Sequence, residues 1–273
     1  SAPGESLAYT LREPVGVVGQ IVPWNLPFVM GVSKIAAAIA AGCTVVLKPA
    51  EQTPLTTVRL GELIQEVGFP PGVINIVTGY GETAGKALVD HPEVDKIAFT
   101  GSTVVGKQIL AGCAGNLKRV TLELGGKSPV FIFPDADLGL ATEAAARGIF
   151  MNSGQVCAAG SRLFVHEKLH DKVVQGVIDH ARKIKVGPGV DPTNAMGPLV
   201  SAEQRRRVMS YIESGAGEGA QVLTGGHALD GEVMYVQSGE SSLVAYTDFA
   251  ALVGFTTWLE SQGIREVEES LHD

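Results

Sequence analysis

Along residues 15–99, short apolar, β-branched runs alternate with longer stretches in which apolar positions recur every third or fourth residue. Residues 15–22, 44–47 and 74–77 read as strands, and residues 30–41 and 56–67 as helices. In the second of these helices Leu60, Leu63, Ile64 and Val67 fall at i, i+3, i+4 and i+7, one face of a helix, and Gly68 followed by Pro70 and Pro71 stops it. Residues 96–99 add a strand, after which Gly101-Ser102-Thr103 opens a helix to about residue 111. Such alternation is the pattern of βαβ crossovers, so the predicted fold class is α/β with a doubly wound, Rossmann-type parallel sheet.

The alternation continues with strands at residues 120–124, 130–133 and 162–166 and helices at 138–150, 169–184 and 201–215. Asp137 is a suitable N-cap for the first of these helices. Gly187-Pro188-Gly189 punctuates the loop between the last two. This half reads as a second α/β domain, with a boundary near Gly125-Gly126. Beyond Gly226 the texture changes: residues 232–236 and 243–246 read as strands, Asp248 caps a helix to residue 261, and an acidic, solvated helix ends the chain.

Composition narrows the class. The chain has 273 residues, 45% of them apolar, enough to bury a sizeable core of one or two domains and too many for a disordered chain. Against 29 acidic residues stand 21 Lys+Arg, a net charge of −8; with no basic block, this argues against nucleic acid as a partner. Gly contributes 34 residues, about 12% against a usual ~7%, which points to many backbone-critical turns. The longest nearly apolar run, residues 35–47 between Lys34 and Lys48, is shorter than the ~18 residues of a membrane helix. Ser1-Ala2-Pro3-Gly4-Glu5 shows no secretory leader pattern, and three cysteines are too few for a disulfide framework, so a reducing, cytoplasmic setting is expected.

Several segments carry candidate chemistry. Gly79-Tyr80-Gly81-Glu82-Thr83-Ala84-Gly85 follows a predicted strand, but its spacing and the lack of a matching acidic residue favour a plain strand-to-helix turn over a dinucleotide fingerprint. Gly101-Ser102-Thr103-Val104-Val105-Gly106 is better placed, either to hold a phosphate at a helix N-terminus or simply to cap the helix. Cys43 reads as a small buried hydrophobe and Cys113 as an incidental loop residue. Cys157 follows Asn152-Ser153-Gly154-Gln155 and begins the small run Ala158-Ala159-Gly160-Ser161; approachable nucleophile and buried thiol both fit. Glu123, at the end of an apolar strand before Leu124-Gly125-Gly126-Lys127, is a structural salt-bridge partner or a general base. His166 and His170 straddle a strand-to-helix junction without a carboxylate partner, so no metal site is expected.

Taken in order, Pro23-Trp24-Asn25, Lys48-Pro49-Ala50-Glu51, Phe99-Thr100-Gly101-Ser102-Thr103, Glu123-Leu124-Gly125-Gly126-Lys127 and Gly154-Gln155-Val156-Cys157 resemble the aldehyde dehydrogenase superfamily over roughly residues 7–226. The resemblance implies an NAD-binding Rossmann-type domain over residues 1–124, part of a catalytic domain over 125–226 and a divergent segment over 227–273. It implies NAD-dependent oxidation of an aldehyde to a carboxylic acid. Cys157 would be the nucleophile, passing through a thiohemiacetal and a thioester; Asn25 and the Cys157 N–H would hold the oxyanion, and Glu123 would activate the hydrolytic water. Implied cofactor contacts are Lys48 and Glu51 at the adenosine ribose, where the carboxylate favours NAD over NADP, Ser102 and Gly101 at the pyrophosphate, and Pro23, Trp24 and Gly125. Residues 155–162 look most like members acting on arylacetaldehydes such as phenylacetaldehyde.

Family members are longer, so the N-terminal helices and part of an oligomerisation arm are expected to be absent here, leaving apolar surface that predicts a homo-oligomer. After Gly226 the Glu-x-Phe-Gly-Pro motif, whose carboxylate holds the nicotinamide ribose in the family, is not found. Two other classes therefore stand beside the leading one. The first is a cysteine-dependent esterase or thioesterase with the same nucleophile and oxyanion donors but no hydride transfer. The second is a non-catalytic binding protein that keeps the fold.

Overall fold

The computed structural model describes residue 4, residues 7–237 and residues 240–247, with side chains as far as residue 228. The chain divides into two compact units, Ser1–Gly125 and Gly126–Asp273.

In the first unit five parallel strands, β1 (Val17–Ile21), β2 (Thr44–Lys48), β3 (Ile74–Ile76), β4 (Lys96–Thr100) and β5 (Arg119–Glu123), lie in the order β3-β2-β1-β4-β5. Helix α1 (Pro27–Ala40) crosses from β1 to β2 and α2 (Leu55–Glu66) from β2 to β3. Their apolar residues close over Val22, Ile35, Val45 and Leu47 on one face. A single wide turn, Gly81–Gly85, runs into the short α3 (Lys86–Asp90), and α4 (Thr103–Cys113) follows β4. These pack Leu88, Val89, Ile109 and Cys113 against Ile97 and Phe99 on the other face. Helices on both faces explain why β1 carries three buried residues in a row instead of alternating. Cys113 is a correction: it is the last residue of α4 and only 2% exposed, a core thiol and not a loop residue.

In the second unit, β6 (Pro129–Ile132), α5 (Leu138–Phe150) and β7 (Arg162–Val165) form one βαβ unit with parallel pairing from Pro129–Arg162 to Ile132–Val165. Asp137 caps α5 as its position suggests, its side chain accepting from the Leu140 N–H at 3.0 Å. Helix α6 (His170–Lys183) packs on α5, and with α7 (Ala202–Gly217) it closes a core around Ile149, Phe150, Leu163, Val173, Val177 and Leu199. The expected strands beyond Gly226 are present as an antiparallel hairpin, β8 (Ala228–Gln237) and β9 (Glu240–Thr247). The helix predicted from Asp248 and the acidic terminal helix lie outside the described residues. Among the described residues no helix is long and apolar enough to cross a membrane.

Candidate active site

A parallel sheet whose strand order reverses has a crevice at its carboxyl edge, where the loops after two neighbouring strands run to opposite faces. Here the reversal falls between β1 and β4. The register places Ile21 beside both Lys48 and Phe99, and Thr100 beside Glu123. The chain ends of β1, β2, β4 and β5 therefore deliver Pro23-Trp24-Asn25, Lys48 with Glu51, Gly101-Ser102 and Glu123 to one edge of one sheet. The loop after β1 is tied to the loop after β2: the Val22 N–H donates to the Lys48 carbonyl at 3.1 Å, and the Thr53 hydroxyl to the Trp24 carbonyl at 3.3 Å. Asn25 sits half-buried just before Pro27, whose fixed φ suits the first turn of α1.

Lys48 is 2% exposed, and its ammonium donates to Glu51 Oε2 at 2.9 Å. Partial burial pushes the Glu51 carboxyl up, but the Lys48 hydrogen bond and a bond from its own backbone N–H outweigh this and hold it below the ordinary carboxylate range. A carboxylate anchored this way keeps a second oxygen to accept from neighbouring hydroxyls.

Ser102 is the N-cap of α4, its Oγ accepting from the Val105 N–H at 3.3 Å. Accepting that bond leaves the Ser102 hydroxyl proton to donate outward, and the first-turn N–H groups of Thr103 and Val104 face the same end of the helix. Gly101 has a part in the sheet as well. Its N–H donates to the Glu123 carbonyl at 3.0 Å, and a Cβ there would collide with the Phe99 ring, so both features serve the sheet. Around Gly125 nothing stands within 4 Å of where a Cβ would be, so packing does not require glycine there.

The salt bridge expected of Glu123 is not formed: it is exposed and makes no ion pair among the described residues. Its charge nonetheless reaches Lys34 on α1. Burial pushes the Lys34 ammonium pKa down, Glu123 pulls it up, and Lys96 pushes it down again. Nothing in the sequence pattern singled out Lys34.

Cys157 belongs to the second unit. It is exposed, whereas Cys43 and Cys113 are buried, and Cys113 has its thiol pKa raised by burial. The segment before it, a short helical turn at Met151–Gly154, holds Asn152 (φ 52°), Ser153 (φ 56°) and Gly154 (φ 70°) in the left-handed region. Each non-glycine residue held there costs roughly 1–2 kcal/mol, strain that persists only where the surroundings impose it. They do so through Ser153, buried at 2% exposure, whose Oγ donates to the Gly197 carbonyl at 2.7 Å. Gln155 Oε1 accepts from the Val200 N–H at 3.1 Å. From the other side, a Cβ on Gly126 would stand 3.0 Å from the Cys157 carbonyl oxygen, so glycine lets the two backbones approach. After Cys157, the Gly160 N–H donates to the Gly148 carbonyl at 3.0 Å, and a Cβ at Gly160 would meet Val130 Cγ2 at 2.6 Å. His170, expected without a carboxylate partner, has Asp171 at 2.9 Å.

The sequence profile of the aldehyde dehydrogenase family matches residues 1–238. This chain belongs to the aldehyde dehydrogenase family. It is 54% identical over 237 residues to an aldehyde dehydrogenase of Enchytraeus buchholzi, covering 86% of this chain and 48% of that protein. It is 51% identical over 235 residues to retinal dehydrogenase 2 of Homo sapiens, covering 86% and 45%. Among solved structures, the NAD+ complex of an aldehyde dehydrogenase from Bacillus cereus superimposes with a TM-score of 0.80 at 51% identity, covering 86% of this chain and 46% of that one. The chain thus spans about half the length of the relatives it matches. Within this aldehyde dehydrogenase fold, motif reading left without a role Lys34, which feels the Glu123 charge in the first unit, and Gly126, Ser153 and Gln155, which hold the Cys157 segment in the second. The cluster Asn152-Ser153-Gly154 signals a turn, but not its hand or its anchors.

Proposed function

We propose that this chain carries NAD-dependent oxidation of an aldehyde to a carboxylic acid. The observation that carries the reading is the convergence of Asn25, Lys48–Glu51, Ser102 and Glu123 on the switch-point edge of a five-stranded parallel sheet. The fold is that of a family with a member solved with NAD+.

The residues present fit a dinucleotide: an ion-paired Glu51 for ribose hydroxyls and a helix start at Ser102 with outward donors for the pyrophosphate. The Glu51 carboxylate disfavours an added 2′-phosphate, hence NAD over NADP. Bound NAD supplies the acceptor for the hydride that leaves the thiohemiacetal carbon. The chain's own groups do the rest. The Cys157 thiolate attacks the aldehyde carbon, forming a C–S bond and moving the carbonyl electron pair onto oxygen. The Asn25 amide and the Cys157 N–H donate to that oxyanion. Loss of hydride leaves a thioester, and Glu123 takes a proton from water as the water attacks, releasing carboxylic acid and returning the thiolate. An arylacetaldehyde is the proposed substrate class, on the Gln155–Arg162 likeness. The exposed apolar residues Leu7, Tyr9 and Leu11 support self-association, and three free cysteines support a reducing cytoplasm.

The test is to incubate the purified chain with NAD and a panel of aldehydes including phenylacetaldehyde, and to follow reduced cofactor. Signal that disappears in Cys157→Ala is expected; silence across the panel overturns the reading. Turnover of activated esters that needs Cys157 but ignores NAD would move the assignment to an esterase.

A further inference from the structure

We propose that Ser153 and Gln155 are positioning residues that set the Cys157 thiol by clamping its loop to the segment 197–200. The inference rests on the reading of Cys157 as nucleophile and concerns how that sulfur is held. Two consecutive non-glycine residues in the left-handed region, Asn152 and Ser153, turn the chain sharply after α5. A turn of this kind does not hold itself in place. Its anchors come from 44 and 45 residues downstream: Ser153 Oγ to the Gly197 carbonyl and Gln155 Oε1 to the Val200 N–H. The anchoring segment is itself fixed, because Met196 and Leu199 are 6% and 1% exposed in the core of the second unit. Within the loop, Gln155 Nε2 donates to the Asn152 carbonyl at 3.3 Å and Asn152 Nδ2 to the Gln155 carbonyl at 3.4 Å, which makes the turn one stiff body. Both clamp points lie within four residues of Cys157, so releasing either lets the sulfur wander from the position that its attack requires. A misplacement of even about 1 Å is enough to cost orders of magnitude in rate.

The experiment compares Ser153→Ala, Ser153→Gly, Gln155→Ala and Gln155→Glu. Two readouts are taken: alkylation of Cys157 by iodoacetamide, located by peptide mapping, and steady-state aldehyde oxidation. Alkylation needs neither NAD nor aldehyde, so it reports on the clamp even if the oxidation reading fails. Expected are a change of at least about threefold in the alkylation rate constant and a fall of about tenfold or more in kcat, with KM for NAD within about twofold, in both Ser153 variants and in Gln155→Ala. Gln155→Glu keeps an oxygen for the Val200 N–H but loses the Nε2 donor to the Asn152 carbonyl, so it is expected to fall between the parent and Gln155→Ala on both readouts. Circular dichroism melts identify any variant that fails to fold; if one Ser153 variant does, the Gln155 pair carries the test. Parent-like alkylation in Ser153→Ala and Gln155→Ala overturns the proposal. So does a parent-like Ser153→Gly beside a defective Ser153→Ala, which would assign the effect to backbone strain instead of the hydroxyl. Loss in Gln155→Glu equal to that in Gln155→Ala also overturns it.

Discussion

Replacing Asn25 with alanine deletes a side-chain donor from the proposed oxyanion site. Steady-state kinetics should show kcat lowered about 10²–10³-fold with KM for NAD nearly unchanged; a raised KM at unchanged kcat would point to a binding role instead. At Glu51 the direction of the pKa sets the pH dependence. Its folded value lies below the ordinary carboxylate value of ~4.3, so the stability it contributes is complete above that value and is lost as pH falls through the folded pKa. Thermal melts between pH 7 and pH 3 should therefore converge for the parent and Glu51→Gln at the acid end. A gap that widens toward low pH would contradict the Lys48–Glu51 pairing. Cys113 shows where residue-level reading misleads. Flanked by Gly112 and Gly115 it resembles a loop residue, yet a Cβ on Gly112 would stand 2.9 Å from Val89 Cγ1, so the glycine lets α4 pack closely while Cys113 fills the core.

At the scale of elements, the two βα connections around the switch point and the capped α5 follow from period and local chemistry, and their stability can be tested. Asp137→Ala removes the bond to the Leu140 N–H and should lower stability by about 1 kcal/mol in urea unfolding. Gly176→Ala sets two effects against each other. Alanine gains about 1 kcal/mol of helix propensity over glycine, but its Cβ would collide with Thr142, whose hydroxyl is fixed by donating to the Leu138 carbonyl. Overpacking of this kind costs typically about 1–3 kcal/mol, so the variant should be less stable than the parent; an increase in unfolding midpoint would show that α5 and α6 can part without strain. The wide turn at Gly81–Gly85 could be placed from sequence as a strand-to-helix connection, but its unusual pitch could not, because spacing alone does not distinguish one helical turn type from another.

For the whole molecule, Leu7, Tyr9, Leu11, Phe131 and Phe133 are between 58% and 87% exposed. Side chains of that size left in water favour association, so sedimentation velocity should show a species heavier than 28.5 kDa; a single monomeric boundary at all concentrations would contradict this. Strand and helix periodicity, the caps at Ser102 and Asp137 and the five ordered motifs were all legible in the chain, because each depends on residues within a turn or two of one another. Tertiary structure decided the rest. Parallel register alone brings residues 25, 48–51, 102 and 123 to one sheet edge, since β1 must first find β2 and β4 as neighbours. The hold on the Cys157 loop was equally hidden, because a left-handed turn is stabilised by whatever partner folding delivers, and here Gly197 and Val200 arrive from more than 40 residues away.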